Sequence, residues 1–211
     1  MPEHGPLDYE IRVSDEELEY ERLRADSEGY ADGYLESLAA YRKLSSVIAQ
    51  RDALLMHASV IDCAGRGIAF LARSGVGKTT HTMLWRGEYP SDVSVINGDK
   101  PIIRFTDGVP YAYGTPWAGK ENMQTNSRVR LDDICFIRRG EDNSCIKLDP
   151  KDAVIPLLGQ IYLPNDPVQA AKALSLTDDL IKLCRFWQIT CNIQPQAART
   201  AHDVITGELS I

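Results

Sequence analysis

The sequence predicts an α/β fold built on a mixed sheet, and three stretches predict it. The apolar run Ile68-Ala69-Phe70-Leu71 suits a buried strand, and it enters the turn Ala72-Arg73-Ser74-Gly75-Val76-Gly77-Lys78-Thr79-Thr80. Residues 79–86 follow with Met83, Leu84 and Trp85 at spacings that suit an amphipathic helix. Ahead of this unit, residues 54–61 read as a strand joined through the turn 62–67, which makes a hairpin. Beyond it, residues 102–105 and 109–113 flank Asp107-Gly108 as a second hairpin. Strand, glycine-rich turn and helix give the α/β character. The hairpins supply antiparallel partners where a purely parallel sheet would have none.

The remaining elements follow in order. Residues 1–13 read as an extended lead. Ser14 with Glu17 three residues on is a capping box that opens a short acidic helix to about Arg24. Gly29 and Gly33 interrupt, and Asp32 is placed to cap a second helix to about Gln50. Leu35, Leu38, Ala39, Leu44, Val47 and Ile48 form its apolar stripe. The expected division is therefore an N-terminal extension, 1–50, whose helix packs on the core, and a domain over 51–211. Residues 93–96 form a buried strand that ends in Asn97-Gly98-Asp99-Lys100-Pro101. A loop spans 114–122, a polar stretch runs to Arg130, and 134–138 form a strand with 144–148 as its neighbour. Asp149-Pro150 opens a helix to Leu158, and Pro167 opens another to about Phe186. Residues 188–193 make a last strand, and Pro195 starts a closing helix to about Ile205.

Composition sets the outer bounds. The chain has 211 residues, enough for one good core, with 25% charged and 44% hydrophobic residues. A net charge of −7 speaks against a nucleic-acid binder, whose partner demands a basic face. Five cysteines without a C-x-x-C pair read as reduced, buried thiols. No run reaches the length of a membrane span and no signal peptide is visible, so the expectation is a cytoplasmic protein that engages no membrane.

The turn at 72–79 has the form A-x-x-x-x-G-K-T, a phosphate-binding loop with Ala72 where the first glycine usually stands. Gly75 and Gly77 let main-chain N–H groups gather round an anion, and the helix N-terminus adds unpaired donors and a partial positive charge. The expected contacts to phosphate come from Ser74, Gly75, Val76, Gly77, Lys78, Thr79 and Thr80. Lys78 can reach the β- and γ-phosphates, and the Thr79 hydroxyl can ligate Mg²⁺. Asp99 closes an apolar strand about twenty residues further on, where such proteins place an acid for the metal; a turn aspartate is the other reading. His57 lies on the strand expected to pair with the loop strand. It is either a core residue or a group aimed at the site. The glycine-bounded loop with Trp117, Lys120, Glu121 and Asn122 is either functional or ordinary surface. Arg128 and Arg130 alternate along one strand face, as a phosphoryl clamp or as a solvated edge. Arg138-Arg139 reads as a solvated strand end, and the three tryptophans read as core or loop anchors.

Together, His57, the hairpin, Ser74-Gly75-Val76-Gly77-Lys78-Thr79 and Asp99 resemble the catalytic domain of HPr kinase/phosphorylase and of ATP-dependent phosphoenolpyruvate carboxykinase. Asn126-Ser127-Arg128-Val129 is similar to the carboxykinase N-T-R-V motif, whose arginine contacts the γ-phosphate. Over roughly three quarters of the chain, from Met56 to about Ala201, the similarity is to bacterial HPr-kinase-like proteins, with Gly114-Thr115-Pro116-Trp117-Ala118-Gly119-Lys120-Glu121 as a hallmark. The resemblance implies the C-terminal-domain fold of that family, a P-loop fold with a mixed, largely antiparallel sheet. Those families carry paired aspartates where this chain has Gly98 and Asp99, so Asp99 or His57 is left to serve as base. The large N-terminal domain of the carboxykinases is absent.

The expected function is an ATP- and Mg²⁺-dependent kinase. Lys78 and the loop hold the nucleotide, Thr79 and Asp99 hold the metal, and Arg128 or Lys120 neutralises the moving phosphoryl group. The acceptor is a hydroxyl of a protein, a peptide or a small molecule. Two alternatives stand beside this: a nucleotide-binding regulatory or scaffold protein without transferase activity, and a small-metabolite kinase. HPr kinase assembles as a hexamer, so the resemblance also leaves a homo-oligomer open.

Overall fold

The computed structural model describes residues 9–24, 29–73 and 75–207. His4 and Ser74 lie outside these. The first helix, α1 (Asp15–Arg24), opens on its capping box: the Ser14 N–H donates to Glu17 Oε2 at 2.8 Å, and the Glu17 N–H to Ser14 Oγ at 3.3 Å. The second, α2 (Asp32–Ile48), starts differently from expectation. Its cap is Ala31, with no side-chain bond, while Asp32 is drawn into an ion pair with Arg22 at 2.8 Å. A 3₁₀ turn at Ala49–Arg51 then delivers the chain to the sheet.

The strands are β1 (Ala53–Leu55), β2 (Ser59–Cys63), β3 (Arg66–Leu71), β4 (Val93–Asn97), β5 (Ile102–Thr106), β6 (Val109–Tyr113), β7 (Arg128–Arg139), β8 (Ser144–Leu148) and β9 (Arg185–Cys191). Helix α3 (Lys78–Glu88) follows β3, and α4 (Pro150–Leu158) and α5 (Pro167–Leu183) lie between β8 and β9. The last helix, α6 (Gln196–Gly207), closes the described chain. Asp149 and Asp166 cap α4 and α5 by accepting from the N–H groups of Lys151 and Gln169. Of eight strand pairings, only β3 with β7 and β7 with β9 are parallel, so the sheet is mixed and largely antiparallel.

Three expectations change. Residues 54–61 are not one strand. β1 pairs with β5 while β2 pairs with β3 and β4. Between them the His57 N–H donates to the Gln160 carbonyl at 2.8 Å and the Ala58 N–H to the Asp99 carbonyl at 2.9 Å. These distant acceptors take the chain out of the ladder, so His57 sits in a crossover rather than on the hairpin. Second, β7 begins at Arg128, six residues earlier than expected, because residues 128–130 pair with β6. Third, β8 pairs with β9 and not with β7; β9, which starts at Arg185, is inserted between them.

The sheet is buried on both faces. Alternate residues of β3 enter two cores: Ala69 and Leu71 join one with Met56, Phe136, Leu157 and Leu180, and Ile68 and Phe70 join the other with Trp85, Trp187, Ala201 and Ile205. Thus α4 and α5 cover one face, and α3 and α6 the other. All six residues of β3 are buried: its apolar run 68–71 between the two cores, and Arg66 at its start against a buried acid.

The parallel strands are tied at one end by a charge. Asp133 of β7 is fully buried and takes ion pairs from Arg66, the first residue of β3, and Arg185, the first residue of β9, and a 2.7 Å hydrogen bond from Trp187 Nε1. Beside it, β3 approaches β7 so closely that a Cβ on Gly67 would fall 2.3 Å from the Arg130 carbonyl oxygen. Removing the acid leaves the buried Arg66 guanidinium unbalanced. Asp133→Ala is expected to lower the unfolding free energy by about 3–5 kcal/mol, measured as a fall in the urea midpoint at constant slope. A shift equivalent to less than about 1 kcal/mol would mean the cluster does not tie the strands.

Candidate functional site

The loop that leaves β3 turns through Gly75 at φ 75° and Gly77 at φ 127°, both in the region glycine favours, and Gly77 becomes the cap of α3. The first turn of α3 therefore presents its N–H groups outward from the end of the sheet. Lys78, the first helical residue, curls back instead of extending into solvent. It is 8% exposed, with Nζ 2.8 Å from His57 Nε2 and 3.4 Å from the Ala72 carbonyl oxygen. Burial pushes its ammonium pKa below the ordinary value; Asp99 opposes this and Lys100 adds to it.

The opposing wall is set by Asn97 at the end of β4. Its Oδ1 accepts from the N–H groups of Asp99 at 2.9 Å and Lys100 at 2.7 Å, and its Nδ2 donates to the Thr115 carbonyl at 3.0 Å. One buried amide thus shapes the Asp99 turn and ties it to the loop after β6. Asp99 Oδ1 lies 3.3 Å from His57 Nε2, and Oδ2 accepts from Lys100 Nζ. Burial acts to raise this carboxyl, but hydrogen bonds and charge from His57 and Lys100 outweigh it and hold the pKa at about 2. On its far side, His57 Nδ1 is 3.1 Å from Gln160 Oε1. Nε2 thus faces both Lys78 Nζ and Asp99 Oδ1: the neutral ring, with its proton on Nδ1, accepts from Lys78, and the ring protonated at both nitrogens donates to Asp99.

These groups line one half-enclosed cavity of about 900 Å³. Gly75, Gly77, Lys78, Thr79 and Thr80 form its loop side; His57, Asp99 and Lys100 stand beside them, and Trp117 and Lys120 come from the loop after β6. Val76 turns away into the core beneath α3. Arg128 does not line the cavity; it donates to Tyr113 Oη at 2.8 Å and stacks over Tyr111. Lys120 is exposed at the rim. Among the described residues no group of three His, Cys, Asp or Glu side chains could hold a metal. The donor set of Asp99 and Thr79 fits a Mg²⁺ ion that takes its other ligands from phosphates and water.

Gly98 has a steric reason. A Cβ there would lie 2.7 Å from the Ala118 carbonyl oxygen, so the position is closed to an acid while the loop keeps this path. Four residues escaped the sequence reading. Gln160 acts through a contact across the fold, Lys100 through its own neighbour Asp99, and Asn97 looks like a strand end. Arg139, expected to be solvated, donates to the Gly75 and Val76 carbonyls and braces the glycine loop from behind.

No protein-family model matches the chain, and no curated protein matches it. Among solved structures it is similar to the Hpr(Ser) kinase/phosphatase from Coxiella burnetii, at 9% identity and a TM-score of 0.43, with 74% of this chain and 97% of that chain covered. At that level the likeness assigns neither family nor activity. Among the described residues, no helix is long and apolar enough to cross a membrane.

The depressed Asp99 pKa carries a signed pH dependence. Its stabilisation of about 2 kcal/mol is complete above about pH 4 and is lost as the pH falls through about 2. The stability difference between the wild type and Asp99→Asn is expected to shrink over that window in urea melts. A difference independent of pH between 6 and 2 would contradict the ion-pair assignment.

Proposed function

We propose that the chain binds a Mg²⁺–nucleoside triphosphate, with ATP as the reference ligand, and transfers the γ-phosphoryl group to a hydroxyl. The observation that carries this reading is the convergence of Lys78, Thr79, His57 and Asp99 in one cavity at the N-terminus of α3. Loop N–H groups and Lys78 hold the β- and γ-phosphates. Thr79 and Asp99 would hold Mg²⁺, which supplies charge neutralisation when bound.

The Lys78–His57 contact gives the reaction an order. An arriving polyphosphate draws Lys78 Nζ onto its oxygens, and this frees His57 Nε2. The acceptor hydroxyl then gives its proton to Nε2 as its oxygen bonds to the γ-phosphorus and the bridging P–O bond breaks, leaving the diphosphate. Asp99, 3.3 Å away, balances the imidazolium that forms, and Gln160 keeps the ring oriented. Lys120 at the rim is placed to steer an anionic acceptor, while Arg128 needs a rearrangement to take part.

A second reading, nucleotide binding without transfer, is favoured by one observation: Asp99 is the carboxylate beside Lys78 and His57, the other that lines the cavity is the exposed Glu121, and Gly98 is sterically closed to an acid. Gly98→Asp is accordingly expected to disrupt the loop and weaken nucleotide binding instead of creating activity.

Calorimetry with Mg-ATP, and incubation with γ-labelled ATP and cell extract split into protein and small-molecule fractions, test both readings. Lys78→Ala is expected to weaken binding at least about tenfold. His57→Ala is expected to keep binding but slow label transfer roughly 10²–10⁴-fold. Binding without transfer to either fraction would support the second reading, and no binding by the wild type would end both.

A further inference from the structure

The phosphate loop accounts for only part of its cavity. Helix α2 contributes another wall through Tyr34, Ser37 and Leu38, and Tyr30, ahead of the helix, joins them. Positions 34, 37 and 38 share one stripe of the helix, and Tyr30 extends it through its ring stack with Tyr34. It is distinct from the face that buries Leu35, Ala39, Tyr41 and Ser45 in the core. On this stripe Tyr30 and Tyr34 are 42% and 48% exposed, and their rings stack with centroids 5.1 Å apart at 30°. The wall is also fixed relative to the site: Trp117 Nε1 donates to Ser37 Oγ at 2.7 Å and to the Ser37 carbonyl at 3.2 Å. Of the three tryptophans, Trp85 and Trp187 are fully buried and cannot stack a ligand, and Trp117 lines the cavity with its indole N–H held by this tie.

We infer that Tyr30 and Tyr34 form the nucleobase subsite, a stacking platform for the base of the triphosphate whose phosphates lie on the loop. This rests on the nucleotide-binding reading above. The chemistry of the stripe argues for a planar ring as occupant. It offers two aromatic rings with their hydroxyls, the Ser37 hydroxyl and an aliphatic side chain, and no amide or carboxylate to read a base edge. Such a platform is tolerant, because every base presents a π-face. Affinity for purine nucleotides should therefore depend on the rings while discriminating little between adenine and guanine.

Calorimetric titration of the full chain with Mg-ATP, Mg-GTP and inorganic triphosphate tests the inference, using wild type, Tyr34→Phe and the double variant Tyr30→Ala/Tyr34→Ala. Mg-ATP and Mg-GTP are expected to bind wild type within about threefold of each other, and the double variant to lose at least about fivefold for both. Tyr34→Phe should retain wild-type affinity. Inorganic triphosphate should bind all three proteins alike, which shows that the variants fold and keep the loop. Unchanged nucleotide affinity in the double variant overturns the inference while leaving the phosphate site standing, and so does an equal loss for inorganic triphosphate. Failure of wild type to bind any of the three overturns the nucleotide-binding reading and this subsite with it.

Discussion

The Asp133 carboxylate sets the height at which everything else in the sheet is held. It collects Arg66, Arg185 and Trp187 at the starts of two strands that run parallel to β7 on either side. Burying charge is unfavourable unless each charge is met, and here the carboxylate is met by three donor side chains. A slip of one residue in either strand would separate these partners and also exchange the two cores, since successive residues of β3 enter opposite faces. The glycine loop before α3 stands at the far end of that same strand. Its position relative to the ends of β7 and β9 therefore follows from an ion cluster on the other side of the sheet.

At the site end the electrostatic balance is reversed. Two lysines and a histidine crowd the Asp99 carboxylate, with Lys120 and Glu121 further out on the same cavity. The Lys78 ammonium is disfavoured by burial there. On the proposed function, a polyphosphate would supply the negative charge that this crowding of cations calls for. Arg139 holds the Gly75 and Val76 carbonyls from behind, and the Val76 N–H closes the turn on the Arg73 carbonyl at 3.2 Å.

Local chemistry was legible in the sequence. The loop glycines, the capping residues Ser14 and Asp149, and the Asp107-Gly108 hairpin each announce their geometry within a few residues, and each is found. What lay hidden depends on partners far along the chain. Residues 54–61 look like one strand because all are compatible with burial; the break at His57 comes from Gln160, about a hundred residues away. The neighbour of β8 was misread because sequence order suggests β7, while β9 arrives only after two helices. For the site, Lys78, Thr79 and Asp99 were readable from spacing, and His57 reached the site by a different route from the one expected. Gly98 looked like a missing acid, whereas its cause is the backbone of Ala118. The side chain of Arg128, readable as a clamp from its motif, is held by two tyrosines that only folding brings beside it.

The tie between Trp117 and Ser37 has an optical consequence. Trp85 and Trp187 have no solvent exposure, so their emission is insulated from events in the cavity. Trp117 alone among the three stands in its wall, with its indole N–H bonded to α2. The chain therefore carries an intrinsic fluorophore at the junction of helix and loop, and any movement of one against the other alters the surroundings of that single indole.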